Sequence, residues 1–147
     1  MSNGVAASRL RAQEILAAKV AEGNEEHAFH VLMSRNLTSE NAQIMLADKI
    51  TSGILAYVLL KGCRVTSHGA QELLACVLKE SQLSDRATEL LLHGCVDSDR
   101  AKEHIASIVP GDRLTLMRVI RFGDIPPEVR ISLSARLPPI YTMIAEN

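Results

Sequence analysis

Apolar residues recur along most of the chain at steps of three to five, the spacing of one helix face. Near the start they fall at Val5, Ala6, Leu10, Ile15, Leu16, Ala17 and Val20, which predicts an amphipathic helix over residues 5–21, ended by Gly23-Asn24. Glu25 and Glu26 open a second helix, because carboxylates suit the positive end of the helix dipole. Its apolar face is Ala28, Phe29, Leu32 and Met33, and Asn36 closes it. Thr38-Ser39 opens a third segment that reaches Lys61-Gly62, with a break or kink at Thr51-Ser52-Gly53. The stretch Ile54 to Leu60 is apolar all round and is expected to form the most buried helix.

Beyond Gly62 the pattern becomes a run of short helices. Thr66-Ser67 opens one to about Lys79, Ser84 one to His93, Ser98 one to Val109 and Asp112 one to Arg121. Pro126-Pro127 opens one to Leu137, and Pro138-Pro139 precedes a last turn to Ala145. Side-chain oxygens of Ser, Thr and Asp accept the free N–H groups of a first turn, and Pro needs no donor there. Gly62, Gly94 and Gly123 sit at helix ends, where a left-handed closing residue is expected. The chain reads as one helical domain over 1–147, with longer helices in 5–62 and short stacked helices in 66–145.

The short helices are related in sequence. Ser84-Asp85-Arg86-Ala87-Thr88-Glu89 recurs 14 residues later as Ser98-Asp99-Arg100-Ala101-Lys102-Glu103. Leu37-Thr38-Ser39-Glu40-Asn41-Ala42-Gln43 resembles Val65-Thr66-Ser67-His68-Gly69-Ala70-Gln71 at an offset of 28. About ten helical residues are roughly 15 Å long, too short to stand alone. Such helices must lay their apolar stripes on neighbours, as an α-solenoid-like stack or as a compact irregular bundle. Asp85, Asp99 and Asp112, each followed by Arg, suggest ion pairs between successive units.

Ile125-Pro126-Pro127-Glu128-Val129-Arg130, Leu133-Ser134-Ala135 and Leu137-Pro138-Pro139 resemble a unit of HEAT-like or leucine-rich-repeat-variant proteins. The resemblance covers residues 125–139, and 82–139 loosely. It implies a helical-repeat scaffold that binds another macromolecule.

Composition agrees with an all-α chain. Of 147 residues, 47% are hydrophobic but only 3% aromatic, and Leu and Ala, both strong helix formers, dominate. Scarce aromatics remove a stacking platform for single-stranded nucleic acid. The net charge of −1 gives no general pull towards nucleic acid or an anionic membrane. No apolar run reaches the roughly 18 residues of a membrane span. Arg outnumbers Lys, which fits a GC-rich bacterial coding bias. Residues 1–22 lack an apolar signal core. With Cys63, Cys76 and Cys95 odd in number and widely spaced, a reducing, cytoplasmic setting is expected. Asn36-Leu37-Thr38 matches a glycosylation sequon, but without a secretion signal its use is not expected.

The chemistry-bearing residues form no strong constellation. Cys63 with His68, His93 with Cys95, and His104 are the candidates for metal, but no Cys-x-x-Cys pair exists. His27 and His30 share a helix face and read as solvent-facing. Cys76, within an apolar run, reads as core. Cys95 with His104 lacks a nucleophile turn or oxyanion loop, and the glycines are scattered singly. Neither catalysis nor a cofactor is expected. Thr66–Lys79 and Ser84–His93 can be drawn as a helix-turn-helix reading through Arg86, Thr88, Glu89 and His93, a poor recognition set. The C-terminal third is more suggestive. Arg113, Arg118, Arg121, Arg130 and Arg136 outnumber the acids around them, and Ile140, Tyr141 and Ile144 form an apolar stripe that caps the core or docks on a partner. The expectation is a protein-binding module, an adaptor, regulator or secretion-related factor, with these eight residues as its contact surface. A nucleic-acid-binding module using the same arginines is the alternative, and a second copy of the chain is a further candidate partner.

Overall fold

A computed structural model describes residues 2–34 and 37–137. Among the described residues the chain is all helical: α1 Ser2–Ala21, α2 Glu25–Ser34, α3 Glu40–Ala47, α4 Gly53–Lys61, α5 His68–Glu80, α6 Ser84–His93, α7 Asp99–Ala106, α8 Arg113–Phe122 and α9 Pro127–Ala135. No helix among them is long and apolar enough to cross a membrane.

The helix starts follow from local chemistry. Ser39, Ser52, Ser67 and Ser98 each stand in extended backbone before a helix, and each hydroxyl accepts from the N–H three residues on. Asp112 does the same for Thr115 at 2.9 Å, and Asn24 for His27 at 2.9 Å. Pro126 and Pro127 start α9 without a side-chain cap. Ser84 is not a cap: Leu83 holds that position and caps nothing with its side chain.

The helices form two layers. The odd-numbered ones pack in order, α1 on α3, α3 on α5 and α5 on α7, and the even-numbered ones pack α2 on α4, α4 on α6 and α6 on α8. Consecutive helices cross between layers. A common pattern makes the odd layer. Ser39-x-x-Ala42-Gln43-x-x-Leu46-Ala47 recurs as Ser67-x-x-Ala70-Gln71-x-x-Leu74-Ala75 and as Ser98-x-x-Ala101-Lys102-x-x-Ile105-Ala106. Every named position in it is buried, with the first alanine of each at 0% exposure. Alanine there lets neighbouring helices approach closely, while the Leu or Ile fills the space between layers.

Three expectations need correction. The helix over Ile54 to Leu60 is not buried all round: α4 buries Gly53, Ala56, Leu59 and Leu60 but exposes Ile54 at 48%, while α5 is the helix that packs on three others, α3, α4 and α7. In the segment before Gly62 only α1, of 20 residues, is long, and α3 and α4 are as short as the helices that follow. Gly62, Gly94 and Gly123 are not left-handed; Cys63 and Gln82 take the positive φ instead. Gly94 and Gly123 serve close approach, because a Cβ would stand 2.5 Å from Leu90 O and Val119 O respectively.

Candidate functional site

Successive odd helices are joined by buried glutamines. Gln43 Oε1 accepts from Thr66 N at 2.9 Å and Ser67 N at 2.8 Å, while its Nε2 donates to Leu37 O at 2.7 Å and Thr66 Oγ1 at 2.9 Å. Gln71 repeats the arrangement one step on. It accepts from Asp97 N at 2.9 Å and Ser98 N at 2.8 Å and donates to Val65 O at 3.0 Å. Gln13 accepts from Thr38 N and Ser39 N in the same way at 3.0 and 2.8 Å. Each amide therefore clamps the capping loop that starts the next odd helix. A glutamine suits the task because one planar group offers both an acceptor and a donor.

In the even layer a carboxylate does similar work. Glu25 accepts from Thr51 N, Ser52 N and Thr51 Oγ1. Partial burial works to raise its pKa, but these hydrogen bonds from Ser52 and Thr51 prevail and hold it below the ordinary range. Further along, Lys61 pairs with Glu89 at 2.8 Å and Arg86 lies over the Tyr57 ring at 4.9 Å. Burial, then the contact with Glu89, raises the Tyr57 phenol.

The clamp series breaks at Lys102. An ammonium has no acceptor, so it cannot take the N–H groups of the following loop. It is buried to 8% exposure and reaches the exposed Asp124 carboxylate at 3.4 Å. Beyond this point α9 packs on α7 more sparsely than α7 packs on α5. A cleft of about 590 Å³ opens between them. Its apolar lining is Ala106, Val129 and Leu133, and Glu103, Ser107, Glu128 and Ser132 stand around it. Arg136 crosses one end, donating from Nη1 to Ala106 O at 3.2 Å and from Nη2 to Val109 O. No family model, curated protein or solved structure matches the chain.

The expected contact residues are spread over two layers. Arg113, Arg118 and Arg121 lie on α8, with Arg118 and Arg121 exposed. Arg118 borders a smaller cleft of about 260 Å³ against Asp85 and Glu89 of α6. Arg121 lies over the ring of its neighbour Phe122 at 5.4 Å. Arg130 is half-buried on α9, and Arg136 is held by backbone carbonyls of α7's end. Leu114, Phe122 and Ile131, which sequence reasoning did not single out, are exposed at 74%, 68% and 71% near the same end of the stack. Ile140, Tyr141 and Ile144 lie outside the described residues.

Other candidates change character. Cys63 and Cys95 are joined as a disulfide with a Cα–Cα distance of 5.0 Å, linking the α4–α5 and α6–α7 loops. That bond takes both sulfurs from the metal and thiol-nucleophile roles considered above, and it departs from the expectation of a reducing setting. The shared Gly-Cys pairs, Gly62-Cys63 and Gly94-Cys95, were the available signal. The helix-turn-helix reading is not supported at its reading face, since Thr88 is buried and Glu89 and Arg86 are engaged with Lys61 and Tyr57. The Asp-Arg steps are used within helices: Arg86 reaches Glu89 at 3.9 Å, and Asp112 caps α8.

Proposed function

We propose that the chain is a helical-repeat scaffold, HEAT-like in plan, that acts by binding another protein and performs no catalysis. The observation that carries this reading is the cleft between α7 and α9, an apolar-lined groove where an otherwise closed odd layer stands open. Grooves between helices are common places to bind partner segments. The exposed Leu114, Phe122 and Ile131 on α8 and α9 extend apolar surface at the same end of the stack. Ser132 is exposed at the cleft, so Ser132→Trp fills the groove without disturbing the core. Proteins captured by the native chain should be lost by Ser132→Trp and kept by Arg86→Ala on the opposite layer. Capture of the same set by Ser132→Trp would sink the reading. The disulfide bears on where this binding takes place, because such bonds persist in oxidising compartments and open in the cytoplasm. Thiol labelling in intact cells decides between the two settings: labelled Cys63 and Cys95 mean the cytoplasmic one.

A further inference from the structure

We infer that the α7/α9 cleft receives a lysine or arginine side chain carried by a segment of a protein partner, an inference that rests on the protein-binding reading above. The polar groups around the cleft differ in what they have left to offer. Ser107 Oγ already donates to His104 O at 2.6 Å. The Arg136 guanidinium is spent on Ala106 O and Val109 O. Glu103 and Glu128 are exposed and have no ion pair or side-chain hydrogen bond among the described residues. The strongest unused capacity is thus to accept, and it carries negative charge.

The same cleft has an apolar share of lining: Ala106, Val129 and Leu133. An occupant must therefore bring a donor cation at its end and methylene groups along its length. Lysine and arginine side chains have that form, with an aliphatic stem that covers apolar surface and a charged head. The chain supplies its own example. Arg136 already lays a guanidinium against the C-terminal carbonyls of α7, where the helix dipole favours a cation. A volume of about 590 Å³ exceeds a single side chain and falls within the usual range of ligand pockets, so the segment bearing the cation enters as well.

The test uses the full chain, isotopically labelled, and two synthetic peptides of equal length with blocked ends. One repeats Lys-Leu pairs and the other Glu-Leu pairs. The Lys-Leu peptide should shift amide resonances of Glu103–Ser107 and Glu128–Leu133, more strongly at low salt. The double variant Glu103→Gln/Glu128→Gln should bind it about tenfold more weakly, the size expected for two lost rim charge pairs. Glu103→Lys/Glu128→Lys should instead prefer the Glu-Leu peptide. Both positions are exposed, so the variants should keep the native helical signal. The inference is overturned if the Lys-Leu peptide leaves α7 and α9 unperturbed, if it perturbs the Gln variant equally, or if the Glu-Leu peptide binds the native chain as well. None of those results touches the Ser132→Trp capture experiment, which judges the protein-binding reading separately.

Discussion

Replacing Gln71 by leucine tests the clamp at its most buried point. Gln71 is 0% exposed. Leucine is of similar size but can neither accept nor donate, so three backbone groups lose their partner: Asp97 N, Ser98 N and Val65 O. The bonds to Ser98 N and Val65 O are buried, and that to Asp97 N is half-buried. Each orphaned buried group costs about 1–3 kcal/mol, and the apolar side chain returns a part of that, which leaves a net loss of about 3–5 kcal/mol. That is a large share of the roughly 5–15 kcal/mol that holds a domain together. With a urea dependence of about 2 kcal/mol per molar, the unfolding midpoint falls by about 2 M. The control is Gln13→Leu, whose bonds to Thr38 are exposed and whose bond from Ser39 N is half-buried, and which should cost less, about 1–2 kcal/mol. Urea unfolding followed by helical circular dichroism measures both. A Gln71→Leu midpoint equal to that of the native chain would show that the amide clamps do not hold the layer together.

Other outcomes follow from the same contacts. Glu25 is held as a carboxylate in the fold, so its stabilisation is complete above its ordinary pKa of about 4.5 and is lost as pH falls through the lower folded value. Glu25→Gln, which keeps an acceptor for Thr51 N and Ser52 N, should flatten the stability curve below about pH 4.5; an unchanged acid limb tells against the assignment. The Cys63–Cys95 bond closes a separation of 32 residues, so replacing both by serine should cost about 3–4 kcal/mol by the chain-entropy relation. The check is the unfolding midpoint with and without reductant, which must differ for the native chain and agree for the serine variant. Gly94→Ala places a Cβ 2.5 Å from Leu90 O and should destabilise by about 1–3 kcal/mol in a thermal melt, whereas Gly111→Ala, with only Arg136 Nη2 at 3.9 Å, should not.

The helices were legible because their starts are chemical. Ser39, Ser67, Ser98 and Asp112 cap where a side-chain oxygen before an apolar run says they should. The layers were not legible from the closest match in sequence. Ser84 and Ser98 open near-identical stretches, yet one lies inside α6 and the other caps α7, in different layers. The weaker match at an offset of 28 pairs α3 with α5, neighbours in one layer. Gln43 and Gln71 stood in that match, but a glutamine in a helix reads as a solvent-facing residue until the next loop is placed on it. The cleft had a visible trace, namely Lys102 where the pattern elsewhere carries glutamine. The Cys63–Cys95 bond had little, because spacing alone does not pair cysteines across 32 residues.

The substitution at Lys102 also divides the chain in time. Amide clamps couple each odd helix to the next up to α7, and the bond between Cys63 and Cys95 ties two loops within that portion. After Lys102 no glutamine clamp recurs among the described residues, and the polar links there include the ion pair to the exposed Asp124, the Asp124 N–H donated to Leu91 O and the reach of Arg136. In a layered chain, stability is a sum of neighbour terms, and the weakest junction opens first. Helices α8 and α9 are therefore expected to behave as a terminal foldon. Hydrogen exchange should then show their amides opening in a partial step that leaves α3 to α7 intact and lets the cleft widen.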